Sequence, residues 1–551
     1  MTGGHMSFKD KVVYEIYPKS FQDSNGDGWG DIKGVISRLD YLQELGVDYI
    51  WFTPMTVSPQ RDNGYDVADY RILDPRYGTM EDFELLSKEA QKRGIGIMLD
   101  MVFNHTSTEH EWFQRALNGE EKYKNYYIFK KGKGPGVPPN NWQSKFGGSA
   151  WEYVSRYDEW YLHLFDVTQA DLNWENPEVR KECADIVNFW RKKGVHGFRF
   201  DVINLISKAG YEDDPSGYDG RQFYTDGPHE HEYLKELNLN SFGQDPNNIT
   251  VGEMSSTTLE NCVQYAGENS HELNMVFSFH HLKVDYHNQM KWELQPFDFM
   301  ELKRLLNTWQ TGMEKAGAWN ALFWNCHDQP RSVSRFGDDQ HYRKESAKML
   351  ATVLYMMRGT PYIYQGEEIG MPNAYFTDIH QYKDVESRNI YEILKNQGQD
   401  ENEIYHILQE RSRDNARTPM QWNDSPNAGF SDMKPWIQAA GSYHTVNVEE
   451  SMKDPDSILA YYKELIKMRK TMAVIQEGSY EPFLEDNPQI FAYKRILNHE
   501  TLIIICNFYG RDAEADLEIQ DCELLLSNYK DSQVKDHLTL RPYESIVLYH
   551  H

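Results

Sequence analysis

Four stretches of this chain place groups capable of acid–base or nucleophilic chemistry at the ends of apolar runs. Asp100, Asn104 and His105 close one run, Arg199 and Asp201 another, Glu253 a third, and His327 with Asp328 a fourth. In Gly197–Asp201 the arginine and the aspartate are two residues apart, so both lie on one side of an extended strand. A single carboxylate of this kind can simply cap the next helix. Polar groups at four matched strand ends argue instead for convergence on one site. Carboxylates converging with arginine and histidine suit cleavage of a glycosidic bond, where one carboxylate attacks or stabilises the anomeric carbon and another, kept protonated, donates to the leaving oxygen. Asp201 is the expected nucleophile, ionised because the neighbouring Arg199 lowers its pKa. Glu253, ending an apolar strand among negative neighbours, is the expected acid/base. Asp328 would hold hydroxyls of the distorted sugar ring, helped by His105 and His327.

The elements that must position these groups alternate. Strands are predicted at Lys11–Tyr17, Tyr49–Phe52, Gly96–Phe103, Gly197–Asp201, Ile249–Glu253, Met275–Phe279, Ala321–Asn325 and Pro361–Tyr364. Between them, helical periodicity marks Ile32–Leu45 (closed by Gly46), Met80–Arg93, Pro177–Lys193, Pro228–Leu237, a helix from about Thr257, Phe299–Gln310 and Tyr342–Met357. Eight alternations of mostly apolar strands with helices predict a parallel (β/α)8 TIM barrel, whose chemistry sits at the carboxyl ends of its strands. The rhythm fails after the third strand, where residues 106–173 are aromatic and rich in Gly and Pro, an insertion far longer than an ordinary loop. A polar segment runs from Glu368 to about Trp436, and from about Val474 short strands alternate without helices, as in a small antiparallel β-sandwich. The resulting division is a barrel over 7–105 and 174–473, an insertion over 106–173 and a C-terminal domain over 474–551.

One loop suggests a metal. Asp23, Asn25, Asp27 and Asp31 fall at positions 1, 3, 5 and 9 of a calcium-type loop, with Gly28 at position 6 and the Trp29 carbonyl at position 7. Position 12 is Gly34 instead of glutamate, and a strand precedes the loop, so this is no helix-loop-helix site. A structural Ca²⁺, or Mg²⁺, is expected.

Composition narrows the partners. A net charge of −28 over 551 residues, with no basic patch, argues against nucleic acid. An anionic small substrate would need its own local cations. The aromatic share (14 Trp, 36 Tyr, 25 Phe) exceeds what packing alone asks for and suits the apolar faces of sugars. Five scattered cysteines without a CxxC pair suggest neither a disulfide framework nor a zinc site, and fit a reducing compartment. No run of about 18 apolar residues exists to span a membrane, and Met1–Met6 reads as a cloning remnant without the apolar stretch of a signal peptide. The expectation is a cytoplasmic protein.

Asp100-Met-Val-Phe-Asn-His105, Gly197-Phe-Arg-Phe-Asp201, Val251-Gly-Glu253 and Asn325-Cys-His-Asp328 resemble, in order, the four signature regions of the α-amylase superfamily of glycoside hydrolases (family 13). The resemblance covers nearly the full length. It implies a retaining mechanism with Asp201 as nucleophile, Glu253 as acid/base and Asp328 as transition-state stabiliser, and makes 106–173 that family's domain B and the tail its domain C. Gln169–Trp174 and Asp414–Trp422 look like its oligo-1,6-glucosidase branch. That branch implies Asp62, Tyr65 and Arg417 closing the pocket for the non-reducing glucose, and associates valine after the nucleophile, here Val202, with linkages other than α-1,4. Valine there is equally an ordinary packing residue.

Tyr17–Phe21, Asp219–Gly227 and Phe279–Tyr286 resemble trehalose-6-phosphate hydrolases more closely than oligo-1,6-glucosidases. The last stretch also has a physical reading: it follows the sixth strand, so that one or more of His280, His281 and Lys283 on the rim could meet a substrate phosphate. The leading expectation is hydrolysis of a phosphorylated disaccharide, α,α-trehalose 6-phosphate. The alternatives are a glucosidase or sucrose isomerase acting on neutral α-glucosides, and a non-catalytic module of the kind carried by transporter heavy subunits, which would tolerate loss of the carboxylates present here.

Overall fold

Runs such as Val-Tyr-Glu-Ile and Tyr-Ile-Trp-Phe are buried along their whole length, as strands covered on both faces must be. In the computed structural model, which describes residues 8–551 except 518 and 520, eight of them form one parallel sheet. These are β1 (Val13–Ile16), β2 (Tyr49–Phe52), β3 (Gly96–Met101), β4 (Gly197–Phe200), β5 (Ile249–Met254), β6 (Met275–Ser278), β7 (Ala321–Leu322) and β8 (Thr360–Tyr364). Their order is β6-β5-β4-β3-β2-β1-β8-β7, and a parallel bridge from Val276 to Asn320 closes the barrel. The expected Met1–Met6 remnant lies outside the described residues.

The outer helices follow their local signals. Met80–Lys92 starts on a reciprocal capping box between Thr79 and Asp82, and buries Phe83, Leu86 and Ala90. Pro177–Lys192 begins with an Asn176 cap and proline in its first turn. The helix predicted over Ile32–Leu45 is two, Ile32–Ser37 and Leu39–Leu45. They break at Arg38 (φ −110°, ψ 5°), whose guanidinium is held by Gln22 Oε1 at 2.9 and 2.8 Å and lies over the Trp422 ring. Gly46 closes the pair at φ 97°, a left-handed conformation that glycine adopts without cost. Regular pairing in β7 ends at Leu322, short of the predicted Asn325. The Asn325 amide instead accepts from Ser332 N (2.7 Å) and donates to Glu367 (2.8 Å).

Three additions extend the barrel. After β3 an antiparallel pair, His105–Ser107 with Gln169–Asp171, and a three-stranded sheet build the insertion around Trp142, Trp151, Leu162 and Leu164. After β8 the segment expected to be merely polar carries two helices, Val385–Asn396 and Glu401–Arg411, each N-capped by an aspartate. The C-terminal part is a five-stranded antiparallel sheet facing a two-stranded one, with an apolar core between them. It is fastened to the barrel by Lys303, a buried lysine whose Nζ donates to the carbonyls of Leu484, Asn487 and Ile490 at 2.7, 2.8 and 2.8 Å. Among the described residues no helix is long and apolar enough to cross a membrane.

Candidate active site

Parallel register sets Asp100 of β3 beside Arg199 of β4, and Arg199 beside Val251 of β5, so the groups ending these strands meet at one guanidinium. Arg199 is buried. Its Nη1 donates to Asp100 (3.0 Å) and to Asp201 Oδ1 (2.7 Å), and its Nη2 donates to Glu253 Oε2. Asp100 also accepts from Trp51 Nε1 (3.1 Å) and the Tyr65 hydroxyl (2.8 Å), so it anchors the arginine from behind. One cation facing three buried carboxylates cannot keep all of them ionised. Burial pushes Glu253 up to about 8 against the pull of Arg199, with Asp201 and Asp328 adding to the rise. Asp201 differs from the sequence expectation, because burial outweighs Arg199 and its carboxyl is raised, not lowered. The interaction of the two carboxyls favours the proton on Glu253 and the charge on Asp201.

The residue after Asp201 is under strain. Val202 sits at φ 35°, ψ 41°, a left-handed conformation that β-branched residues rarely adopt. Its N–H points at Glu253 Oε2 (3.3 Å) while its side chain joins the apolar cluster of the insertion.

A second charge cluster faces the first. His327 holds Asp328 Oδ2 at 3.2 Å from Nε2, and its Nδ1 contacts Glu15 of β1. Burial opposes a charge on His327, but the carboxylates on either side raise it to about 10, so it is an imidazolium at neutral pH. Tyr65 stacks on its ring (centroids 5.0 Å apart, planes 8° apart). Burial would raise Asp328, yet His327, Arg413 and Arg417 hold it well below the usual carboxylate range. His105, buried and turned toward the Tyr65 carbonyl (3.1 Å), has its pKa lowered by desolvation and is neutral.

These groups line a cleft of about 960 Å³, including its open mouth. Asp62, Tyr65, His105, Asp201, Glu253, Lys283 and Asp328 face it, whereas Arg199, His327 and Arg417 stand behind its wall. Arg413, not Arg417, is the arginine in the lining: its Nη2 reaches Asp62 (3.0 Å) and Asp384 (2.5 Å), and its Nη1 lies 3.4 Å from Asp328. Arg417 bonds Asp328 (2.9 Å) and the His327 carbonyl (2.8 Å) from behind. Arg413 and Arg417 are four residues apart in one irregular turn, and spacing alone does not say which faces inward.

His281 does not reach the cleft. Its Nε2 pairs with the Phe323 carbonyl at 2.9 Å, and burial lowers it to about 4, leaving it uncharged. Lys283 does reach it, with no ion-pair partner among the described residues. Burial lowers it to about 8, and Lys145 and Arg221 add repulsion at longer range. Lys145, on the insertion, lines the same region with Asp219 at 4.0 Å. An ion pair between Lys291 and Glu386 also lines the cleft, joining the loop after β6 to helix Val385–Asn396. The sequence reading missed Arg413, Asp384, Lys145, Lys291 and Glu386. All lie in long loops or insertions, away from strand ends.

In the loop at 23–31, Asp23 accepts from the backbone N–H groups of Asn25, Gly26 and Gly28, Asn25 from that of Asp27, and Asp27 from that of Trp29. The all-oxygen donor set suits a hard cation. Asp31, however, caps helix Ile32–Ser37 through Gly34 N (2.7 Å) and accepts from Ser24 Oγ (2.6 Å) and Ser24 N (2.9 Å), so its oxygens are engaged within the protein. Among the described residues no three His, Cys, Asp or Glu converge as a metal site.

Residues 15–478 match the family model of the alpha-amylase catalytic domain, and 490–547 that of the C-terminal domain of the alpha-amylase SusG. The chain is 53% identical to a trehalose-6-phosphate hydrolase of Bacillus subtilis (strain 168), covering 98% of this chain and 97% of that protein. It is 48% identical to an oligo-1,6-glucosidase of Halalkalibacterium halodurans, covering 98% of each. The crystal structure of a trehalose-6-phosphate hydrolase from Bacillus licheniformis superposes with a TM-score of 0.94 at 54% identity, over 98% of this chain and 99% of that one. Barrel, cleft and carboxylates thus agree with a match that runs through both domains, and the chain belongs to the α-amylase family of glycoside hydrolases.

Proposed function

We propose that this enzyme hydrolyses α,α-trehalose 6-phosphate to glucose and glucose 6-phosphate with retention. Asp201 attacks the anomeric carbon, and Glu253, protonated below about pH 8, donates to the leaving oxygen. Arg199 holds both carboxyls on one guanidinium, an arrangement that favours the retaining reading, in which the two carboxyl groups lie about 5–5.5 Å apart. Water then opens the β-glucosyl ester on Asp201, with Glu253 as base. Asp328, held ionised, and Asp62 grip hydroxyls of the glucose, with Tyr65 against its apolar face.

The observation that carries the substrate choice is the cationic stretch of an otherwise acidic cleft, where Lys283 has no ion-pair partner among the described residues and Lys145 has Asp219 at 4.0 Å. The relatives named for trehalose 6-phosphate add support. Kinetics on trehalose 6-phosphate, isomaltose and sucrose test the reading. The expected result is the highest kcat/KM on the phosphorylated sugar, and a higher value on isomaltose or sucrose overturns it in favour of the neutral-glucoside alternative. A phosphosugar substrate and the buried thiols of Cys183, Cys262, Cys326 and Cys506 fit a cytoplasmic setting. For the loop at 23–31 the proposal is a structural Ca²⁺ or Mg²⁺ on Asp23, Asn25, Asp27 and the Trp29 carbonyl, joined by Asp31 once it leaves Gly34 and Ser24.

A further inference from the structure

β1 carries a charge where a barrel strand should be apolar. Glu15 is 1% exposed and lies in register between Trp51 of β2 and Tyr364 of β8. It ends no strand and does not line the cleft. Burying a carboxylate is costly unless it is paired, and its partner is His327: Oε1 meets the imidazole Nδ1 and lies 3.4 Å from the backbone N–H of the same residue. The other ring nitrogen, Nε2, faces Asp328 Oδ2 at 3.2 Å. The ring is sandwiched, with Tyr65 stacked on it and Tyr17 parallel at 6.3 Å, while Trp51 meets it edge-on.

We propose that Glu15 is a positioning residue for the glycosidase reaction: by accepting from His327 Nδ1 it fixes the ring so that the imidazolium edge at Nε2, which makes an ion-pair contact of 3.2 Å but no aligned hydrogen bond, holds Asp328 toward the substrate. The logic is that of a buried carboxylate orienting a histidine through the nitrogen that does not do the work. The charges facing this chain are Asp100, Arg199, Arg413 and Arg417. The arginines support Asp328 directly or at a distance, but none of these four bonds a His327 ring nitrogen. With Glu15 ionised, His327 stays protonated up to about pH 10. Without it, the ring loses one of the two anions that keep it charged.

The proposal rests on the reading of Asp328 as a substrate-gripping group, and the test separates the two. Glu15→Gln keeps an acceptor of the same shape but removes the charge. It should lower kcat by about 10- to 100-fold, the usual cost of losing an outer-shell partner, with KM little changed. The alkaline limb of kcat/KM should also move to lower pH, as His327 deprotonates before Glu253 does. Both effects should appear on trehalose 6-phosphate and on a neutral aryl α-glucoside alike. Wild-type kcat with an unmoved alkaline limb in Glu15→Gln overturns the proposal. Asp328→Asn is the control: if it retains activity, the reading of the site itself is wrong, whereas an inactive Asp328→Asn beside a fully active Glu15→Gln removes only the role of Glu15. Glu15→Asp, which restores the charge one methylene short, should recover the alkaline limb more than the rate.

Discussion

Replacing Lys283 with alanine isolates the phosphate contact from the glycosidic chemistry. The lysine lines the cleft without an ion-pair partner among the described residues, so its removal leaves no buried carboxylate stranded. What is lost is its bond to a doubly charged phosphate. Hydrogen bonds to charged groups contribute about 1.5–3 kcal/mol, and 1.4 kcal/mol is a factor of ten, so kcat/KM on trehalose 6-phosphate should fall by about 10- to 140-fold. Lys145, already drawn to Asp219 at 4.0 Å, should cost less when replaced, toward the lower end of that range. On a neutral aryl α-glucoside, steady-state kinetics at the same pH and ionic strength should change less than about twofold, because no charge on that substrate calls on either lysine. Wild-type discrimination between the two substrates should itself fade as pH rises through about 8, where Lys283 gives up its proton. Equal losses on both substrates in Lys283→Ala would refute the reasoning, since the lysine would then support the fold or the shared glucose site.

On the neutral substrate, kcat/KM should decline on the alkaline side near pH 8 as Glu253 deprotonates, and a profile that stays flat through pH 8 contradicts its role as the acid. Arg413→Ala should lower thermal stability most at neutral pH. Asp328 and Asp384 are depressed in the fold, so the stability they contribute is present above the ordinary carboxylate range and disappears as pH falls through their folded values. Melting curves should therefore show a gap to wild type equivalent to about 3–5 kcal/mol at pH 7 that narrows on acidification, and a gap that widens in acid contradicts the pairing. Chelation should lower the melting temperature, added Ca²⁺ should restore it, and Asp27→Ala should abolish the response. A wild-type melt indifferent to both leaves the loop a hydrogen-bonded turn.

Sequence patterning revealed the frame of this enzyme because parallel strands buried on both faces read as apolar runs, and a barrel gathers their ends. Asp201, Glu253 and Asp328 were legible for that reason. Glu15 was not, since a carboxylate in mid-strand gives no sign of which ring it meets across the barrel. Arg413 and Arg417 could not be told apart within an irregular turn that has no period. Lys145, Lys291 and Glu386 sit on additions whose placement depends on tertiary contacts, and His281 looked like a rim residue until the Phe323 carbonyl was seen to claim it. The direction of the Asp201 pKa shift differs from the expectation because its sequence neighbour is a cation, while its burial is set by residues far along the chain.

The seam at Lys303 bears on how the protein is made. The helix that carries this lysine packs on the barrel, yet its ammonium finds acceptors only in residues 484–490, some 180 positions downstream. Farther along, the Tyr493 hydroxyl and the Arg495 guanidinium bond the carbonyls of Val353 and Met356 at the end of another barrel helix. During synthesis the ribosome therefore delivers all eight barrel strands well before these groups have their partners. Those polar groups stay unpartnered until the last part of the chain emerges. Truncation at the domain boundary would leave Lys303 and the carbonyls of Val353 and Met356 without these partners, so the C-terminal sheet contributes to barrel stability from a distance in sequence.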